Sequence, residues 1–490
     1  MTEYSLIDLE SAIGTFTITV FSEYAGLTIP TRQTVKNIGE TTETNQREVG
    51  VSELSTLQLE LTDDHATYDE GFWYKVLNGD CHIRINLTEG VSETPYFYGI
   101  PQEENTVSED HALYNSTYIR THSITLLSRG IELFDTLTED WIDEVVLNKV
   151  DTTIAATTPI ATTISLRGFF AALLKVSGLT ASYDPTSVEF IHDASNPDVK
   201  WKISTTVYTF LDLYVPIHYD NGAGDTLSDY YDSAKVVYLP SQYPFAKELM
   251  TALLSNFGLT MRIMPTAEAS PTQGFTMQLI QKGGRAYSGT LTLTTPKRST
   301  WSKSYDFLGD AVRFTKTHDA AKYVWRSKSW AGTGQENFSN LEPPNTVEFD
   351  IDKRFIFEVN GSPAAGNSWP LYAGATGGDL SLLVPLDGVE VWSYATDEYL
   401  TPSITNPMGD LILEELMTAY EFFKFTTEFA QVVRAYGPMV ADAGSGDTHT
   451  VLQIMRRNTI ADGISSRTFF ANKVTKNPGK DEVEIQWLLE

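Results

Sequence analysis

Residue types that commonly carry catalysis or bind metals are present, but without the spacing that such chemistry requires. The eight histidines contain no pair four residues apart and no H-E-x-x-H motif, so a zinc protease is not indicated. Gly444-Ser445-Gly446 lacks the flanks of a nucleophile elbow, and no Gly-rich stretch carries the lysine of a phosphate-binding loop. We therefore expect structural roles for His65, His82, His111, His122, His192, His218, His318 and His449.

Carboxylates are abundant, and some groups of them could do chemistry. Residues 220–225 resemble part of a calcium loop but lack the distal glutamate of an EF-hand, so we interpret them as a turn and leave open a calcium site near Asp220 and Asp225. Because the chain has 64 acidic residues, adjacent acids arise by chance, and we predict no enzyme, catalytic residue, metal ligand or cofactor. The groups that a glycosidase could use are Asp63-Asp64, Glu103-Glu104 and Glu414-Glu415, with Trp325, Trp330 and Trp369 for sugar stacking.

The charge of the chain argues against a second class of function. Lysine and arginine number 35 against 64 acidic residues in a chain of 490, which gives a net charge of −29. Such a chain attracts neither a phosphate backbone nor an anionic membrane, so we expect no sequence-specific binding of nucleic acid and no stable membrane insertion. No secretory signal is visible after Met1, and the single Cys81 cannot form an intrachain disulfide. We expect a soluble protein made in a cytoplasm.

The first part of the chain has the alternating pattern of a β-barrel or sandwich. The polar stretch at residues 31–51 predicts a long loop or an excursion of the chain, and apolar positions from residue 131 to 147 predict one helix. The predicted strands lie at residues 15–21, 57–61, 83–87 and 118–127.

The middle of the chain contains an internal repeat. Residues 170–186 and 250–266 share eight of 17 positions at a constant offset of 80. Each copy predicts an amphipathic helix that ends at a glycine, an extended segment that a proline stops, and a further strand, at residues 188–191 or 275–281. Two duplicated helix–strand modules explain this better than chance similarity between two amphipathic helices, which remains the alternative.

The last third of the chain predicts further strands around a Gly-rich region. Residues 361–379 are expected to form a loop, and residues 410–421, or 410–429 in a longer alternative, are expected to form a helix. The final strand reaches the C-terminus, which ties the end of the chain into a sheet. The strands are predicted at residues 347–351, 355–359, 380–392, 450–455, 467–474 and 483–489.

This order of elements resembles the baseplate hub, or tail tip, proteins of tailed bacteriophages, whose fold is related to the tail tube. The likeness is carried by residues 96–100 followed by 118–127, by the Gly-Leu-Thr ends of both helices at residues 178–180 and 258–260, and by the C-terminal helix, turn and strands from residue 410. Residues 207–239 and 301–383 depart from a minimal hub and are interpreted as insertions.

The resemblance implies a mainly β fold with a few α-helices, in which tail-tube-like β-barrel or sandwich domains accompany the duplicated helix–strand modules. Four units are expected. They are a tube-like barrel domain with a trailing helix at residues 1–150, the first module at 151–240, the second module at 241–300, and a second tube-like domain with a Gly-rich insertion, a helix and C-terminal strands at 301–490.

The resemblance also implies a function. Such a protein would be a structural part of the virion that closes or extends the tail tube, with three copies forming a pseudo-sixfold ring around the channel for DNA ejection. Its partners would be the distal tail ring, tape measure and tail fibre or spike proteins, and residues 483–489 would be a strand edge that pairs between subunits. The alternatives are a hexameric distal tail ring protein, a carbohydrate- or receptor-binding tail protein, and a glycoside hydrolase.

Overall fold

The computed structural model describes the chain in segments, which become short beyond residue 281. The described residues are 1–6, 9–11, 14–29, 35–44, 55–65, 71–89, 91–102, 112–114, 117–148, 163–191, 200–203, 205–212, 214–216, 243–256, 259–281, 302–304, 326–328, 335–337, 357–359, 368–373, 381–385, 389–393, 398–400, 432–437, 457–461, 466–477 and 482–489.

These residues form many strands and few helices, so the prediction of a mainly β fold with a few α-helices is confirmed. The strands before residue 220 are β1 Thr2–Ser5, β2 Leu9–Ser11, β3 Gly14–Ser22, β4 Val35–Thr44, β5 Thr56–His65, β6 Cys81–Glu89, β7 Ser92–Pro101, β8 Ala112–Tyr114, β9 Thr117–Ser128, β10 Thr163–Ser165, β11 Val188–Ile191, β12 Lys200–Ile203, β13 Thr206–Thr209 and β14 Tyr214–Pro216.

The later strands are mostly shorter. They are β15 Leu259–Ser270, β16 Gln273–Gln281, β17 Ser302–Ser304, β18 Arg326–Lys328, β19 Gln335–Asn337, β20 Phe357–Val359, β21 Ser368–Ala373, β22 Ser381–Pro385, β23 Val389–Ser393, β24 Glu398–Leu400, β25 Val432–Gly437, β26 Arg457–Ala461, β27 Ser466–Asn477 and β28 Glu482–Leu489. The helices are α1 Phe72–Leu77, α2 Glu132–Asp135, α3 Thr138–Leu147, α4 Leu166–Val176 and α5 Ala246–Asn256, with 3₁₀ turns at Pro185–Ser187 and Phe210–Asp212. Of these helices, none is long and apolar enough to cross a bilayer.

The core of the first sheet follows from the period-2 pattern of its strands. Apolar side chains on β3, β5 and β6 are buried on one face, and α1 adds Phe72, Trp73 and Val76 to the same cluster. The ring of Tyr4 meets that of Phe72 edge-on, with 5.5 Å between centroids. Each fully buried side chain of this size stabilises the fold by about 1.5–3 kcal/mol. The strand residues of the cluster include Phe16, Ile18, Val20, Leu57, Leu59, Leu61, Ile83, Ile85 and Leu87.

One sheet joins the two ends of the chain. Its strand order is β1-β3-β6-β7-β9-β5-β4-β27-β28-β25-β17, with β2, β8 and β26 paired beside it. Strands from the first 130 residues lie on one side of the β4–β27 pair, and strands from beyond residue 300 lie on the other. The pairing sets residues 41–44 of β4 against residues 473–476 of β27, antiparallel. The N- and C-terminal parts of the chain thus form two groups of strands that meet edge to edge.

Two other sheets combine residues from both sides of the second helix–strand module. The seven-stranded sheet has the order β10-β14-β22-β21-β20-β18-β19, and the four-stranded sheet has the order β13-β12-β23-β24. Segments before residue 220 and segments after residue 320 therefore share sheets across the expected limits at residues 240 and 300.

The predicted single helix at residues 131–147 is wrong, because the structure divides it into α2 and α3. Thr138 N–H donates to Pro244 O at 3.0 Å, and Ala246 N–H donates to Thr136 O at 2.9 Å. These bonds form an antiparallel bridge that pairs Leu137 with Phe245. The residues between the helices are extended because they pair with the segment that leads into α5.

The first module has the helix end that its sequence predicts. Gly178 follows α4 with φ of +71°, and Leu179 and Thr180 donate their N–H groups to Leu174 O at 2.9 and 3.2 Å. A left-handed glycine with these two bonds satisfies carbonyl groups that the last helical turn leaves free. At the start of α4, Ser165 Oγ accepts from Gly168 N–H at 3.0 Å.

The second module differs after its helix. The regular pairing breaks after Pro265, which lies opposite Phe275, but the strand does not end there, because β15 continues to Ser270. β15 is an edge strand in the sheet order β11-β16-β15, where a residue without an N–H is tolerated. β11 runs parallel to β16, so the strands that follow the two repeats are neighbours in one sheet.

Three further predictions need correction. The predicted loop at residues 31–51 contains β4, and the predicted loop at residues 361–379 contains β21. The strand at residues 483–489 is not an edge, because β28 pairs with β27 on one side and β25 on the other. The predicted strands at 347–351 and 450–455 and the helix from residue 410 lie outside the described residues.

The β4–β27 pair predicts a specific disulfide. Thr42 lies directly opposite Thr475, and residues in such positions have Cα atoms about 4.5–5.5 Å apart, which a disulfide accepts. Under mild oxidation, we expect Thr42→Cys with Thr475→Cys to form an intrachain bond, seen as faster migration of the monomer on non-reducing gels. Cys81 will not compete, since burial, with the charge of Asp80, raises the pKa of its thiol to about 12.

The control for this experiment combines Thr42→Cys with Ser302→Cys, since β17 lies at the far end of the sheet order. That variant should stay uncrosslinked. A covalent dimer from the Thr42 and Thr475 pair would show that the two strands belong to different chains, and the single-chain sheet would be wrong.

Candidate functional site: an arginine clamp on a hairpin

The most strongly organised polar contact among the described residues joins the first sheet to the hairpin formed by β15 and β16. Arg84 and Asn86 lie on β6, where they alternate with the buried Ile83, Ile85 and Leu87. Arg129 directly follows β9 and is buried, with 3% of its side chain exposed. We call Arg84, Asn86 and Arg129 the arginine clamp.

The arginine clamp binds backbone carbonyl groups at alternate residues of the hairpin. Asn86 Nδ2 donates to Ala267 O at 3.1 Å, and Arg84 Nη1 donates to Ala269 O at 2.6 Å. Arg129 Nη2 donates to Pro271 O at 2.9 Å. Because these three hydrogen bonds go to carbonyl oxygens, they depend on the path of the hairpin backbone and not on its side chains.

The arginine clamp binds the hairpin at the point where the pairing of β15 with β16 is interrupted. The register between β15 and β16 shifts between Pro265 and Ser270, so the ladder is irregular there, as at a β-bulge. A bulge removes carbonyl groups from the ladder, and buried carbonyl groups need another donor. Asn86 and Arg84 supply donors to two residues within this interval, so the first sheet completes the hydrogen bonding of the hairpin.

Aromatic rings hold both guanidinium groups in place. Arg84 lies over the ring of Phe21 at 5.3 Å, and Arg129 lies 5.5 Å from the ring of Tyr98 and 5.0 Å from that of Phe275. Tyr98 and Phe275 also contact each other, with 5.1 Å between centroids. Phe275 belongs to β16, so its cation–π contact with Arg129 crosses the same interface as the hydrogen bonds.

The buried charge of Arg129 is balanced from within the first sheet and its following turn. Its guanidinium forms an ion pair with Glu132, whose second oxygen accepts from Gly130 N–H at 2.8 Å. Arg84 lies 3.6 Å from Glu3, which is 56% exposed, so that pair adds little. Removing one partner of a buried pair leaves an uncompensated charge, which makes Arg129 the member of the clamp most costly to lose.

His82 completes the polar surroundings of Arg129. Its Nδ1 lies 3.0 Å from Arg129 Nη1, and because arginine can only donate, Nδ1 accepts and the ring proton is on Nε2. Burial, the charge of Arg129 and the chain's N-terminal amine lower the pKa of His82 from 6.5 to about 4. Burial also raises the pKa of the Tyr98 hydroxyl, so both residues are neutral near neutral pH.

A cavity of about 410 Å³ opens beside the clamp. Its lining combines the N-terminus of the chain with the tip of the hairpin. The residues are Met1, Glu3, Phe21, His82, Ser270, Pro271 and Thr272. Within the described residues, no three His, Cys, Asp or Glu side chains come together as metal ligands. The arrangement fixes one part of the fold on another and contains no nucleophile paired with a base.

The structure places few of the residues that the sequence suggested for chemistry. Asp63-Asp64 and His65 lie in β5, Trp369 lies in β21, and His122 is buried in β9. Outside the described residues lie Glu103-Glu104, Glu414-Glu415, residues 220–225, Trp325, Trp330, His111, His192, His218, His318 and His449. The clamp itself was not predicted. Its only sequence signal is the alternation of Arg84 and Asn86 with apolar residues, which equally suits a solvated strand face.

Comparisons with known proteins find similarity among solved structures. No family model and no curated protein matches the chain. The 43 kDa tail protein of prophage MuSo2 from Shewanella oneidensis is 9% identical with a TM-score of 0.36, over 96% of this chain and 95% of that chain. A tail protein from Neisseria meningitidis MC58 is 8% identical with a TM-score of 0.36, over 97% of each chain.

A third solved structure, the prophage tail protein gp18 from Listeria monocytogenes EGD-e, is 7% identical with a TM-score of 0.33, over 96% of this chain and 94% of that chain. The chain is similar to phage tail proteins.

Loss of Arg129 should separate the hairpin from the first sheet. We expect Arg129→Ala to lower the apparent free energy of unfolding in urea by about 3 kcal/mol, because Glu132 loses its partner and Pro271 O loses its donor. Amide hydrogen exchange of residues 259–281 should rise at the same time. Lys247→Ala is the control, since Lys247 is exposed and its contact with Phe134 is worth under about 1 kcal/mol. Equal stability of the two variants would show that the clamp does not hold the hairpin.

The lowered pKa of His82 predicts a dependence of stability on pH. The unfolded chain takes up a proton on this ring near pH 6.5, whereas the folded protein resists it until about pH 4. The contribution to stability is therefore complete above pH 6.5 and declines as the pH falls through this interval. Between about pH 7 and pH 5, wild type should lose about 2 kcal/mol more than His82→Gln, measured by urea unfolding. The same loss in both proteins would contradict this.

Proposed function

We propose that the chain is a structural protein of a phage tail that acts at the baseplate hub or tail tip, where copies form a ring that continues the tail tube and surrounds the channel for DNA ejection. The observation that carries this proposal is the single sheet in which N- and C-terminal strand groups meet at the β4–β27 pair. Its partners would be the distal tail ring, tape measure and fibre or spike proteins, and its location the tail tip of the virion.

The two strand groups of the sheet support this proposal. A chain with two strand groups side by side can occupy two positions of a ring, so three copies can match a sixfold tube. The four-unit division, with tube-like domains at residues 1–150 and 301–490, is part of the proposal. Its two tube-like domains would be the two strand groups, and the seven- and four-stranded sheets join segments across its limits at residues 240 and 300.

The ends of the sheet suggest how copies would meet. In the described part of the sheet, β1 and β17 are the terminal strands of the order. Edge strands carry backbone groups that can pair with another chain, and closed rings satisfy such groups at subunit interfaces. These strands replace residues 483–489 as the proposed contact between subunits.

The net charge supports a channel through which DNA slides. Because each copy carries a charge of −29, the protein does not attract the phosphate backbone of DNA. A basic channel wall would instead bind DNA, with an affinity that depends strongly on salt. The arginine clamp is consistent with this role, because it uses basic side chains inside the fold and fixes the modules on the first sheet.

The mass of the assembled protein tests the proposal. Light scattering should give about three times the 54.6 kDa mass of the chain, and negative-stain images should show rings with a central opening. A hexamer would favour the distal tail ring protein instead. If the protein is monomeric at every concentration and binds to a glycan array, the carbohydrate- or receptor-binding function is favoured. If it is monomeric and does not bind to the array, the hub, the distal tail ring and the receptor-binding functions are all contradicted.

A further inference from the structure

The bridge between α2–α3 and the start of α5 presents two apolar side chains together. The hydrogen bonds of Thr138 to Pro244 and of Ala246 to Thr136 flank the pair of Leu137 and Phe245. This is the non-hydrogen-bonded position of an antiparallel pair, in which opposite side chains lie closest and project from the same face. We call Leu137 and Phe245 the apolar pair.

The apolar pair is exposed although its neighbours are buried. Leu137 is 46% exposed and Phe245 is 44% exposed, whereas Thr138 and Ala246, the next residue in each segment, are fully buried. Both segments enter helices at these buried residues, which fixes the backbone on which the pair stands. Because this backbone is already fixed, binding of a partner over the apolar pair would cost this chain little conformational entropy.

The surroundings of the apolar pair are acidic. Asp135, Glu139 and Asp140 are exposed within three residues of Leu137, and Glu248 is exposed three residues after Phe245. Lys247 is the one exposed cation in these two segments, so acids outnumber bases there by four to one. Acidic residues in the first turn of a helix stabilise the helix, because their negative charge interacts favourably with the positive end of the helix dipole. The helix dipole does not account for two adjacent apolar side chains left in water beside them.

We propose that the apolar pair is a docking site for another protein, through a segment that carries an apolar or aromatic side chain flanked by lysine or arginine. Charge complementarity identifies this occupant, because a basic segment matches the acidic residues beside the pair. A second copy of this chain is disfavoured, since each copy carries a net charge of −29. The inference does not depend on the phage-tail function.

A labelled peptide tests the proposal on the full chain. The probe is a short fluorescein-labelled peptide with a Leu-Phe core flanked by lysines, and binding is followed by fluorescence anisotropy. We expect Leu137→Ser with Phe245→Ser to weaken binding by about tenfold or more. Phe245→Leu should retain it, because an apolar side chain remains. Tyr24→Ser with Val91→Ser is the matched control, since it removes two exposed apolar residues elsewhere and should leave binding unchanged.

Other outcomes overturn the proposal. Equal binding by wild type and the double serine variant would show that the peptide binds elsewhere on the acidic surface. Equal binding of a peptide with glutamates in place of lysines would remove the charge argument. Sedimentation showing that wild type self-associates and the double serine variant does not would assign the pair to a second copy. Unchanged urea unfolding of the serine variants excludes loss of the fold as a cause.

Discussion

The need to satisfy backbone hydrogen bonds at strand edges is the constraint on which the rest of this structure depends. β4 would be an edge of the N-terminal strand group, and β27 would be an edge of the C-terminal group, but each covers the other. β15 is the edge of a small sheet with an interrupted register, and the arginine clamp supplies donors to its carbonyl groups. At the first edge a strand supplies the missing hydrogen-bond partners, and at the second edge side chains supply them. In both cases the contact connects segments that are far apart in sequence.

Arginine suits the second of these tasks. A guanidinium has several donors in a fixed plane and also stacks on aromatic rings, whereas lysine offers a single compact charge. Arg129 uses this fully, because it contacts Pro271 O, His82, Glu132, Tyr98 and Phe275 at once. A chain with few basic residues thus commits two arginines to an internal junction, which leaves its acidic residues to dominate the surface.

The parts of the fold that the sequence predicted correctly are those set by local alternation or by a single backbone conformation. β3, β5, β6 and β9 follow from alternating apolar residues, and the end of α4 follows from Gly178. The failures have a common cause in long-range pairing. Residues 31–51 are polar and read as a loop, yet β4 forms there because β5 and β27 provide partners on both sides. Residues 131–147 keep a helical period, yet residues 244–246 draw the middle of that segment into a bridge.

The clamp and the apolar pair were missed for the same reason. Outward-facing Arg84 and Asn86 suit a solvated strand as well as a junction, and only the position of the hairpin distinguishes the two. Leu137 looked like one more apolar position on a helix, and only the break between α2 and α3 turns it outward beside Phe245. In each case the role of the residues depends on a segment more than 100 residues away.

Net charge limits how copies of this chain can associate. Each copy carries a charge of −29, so the approach of identical subunits is opposed by electrostatic repulsion that weakens as salt increases. Backbone pairing between strand edges is not weakened in this way, because it uses neutral groups. A ring of such chains would therefore depend on strand edges for its closure, whereas a basic partner would be drawn to the acidic surface at low salt. The two kinds of contact respond to salt in opposite directions. Added salt favours the association of copies, because it weakens their repulsion, and it disfavours the binding of a basic partner, because it weakens their attraction.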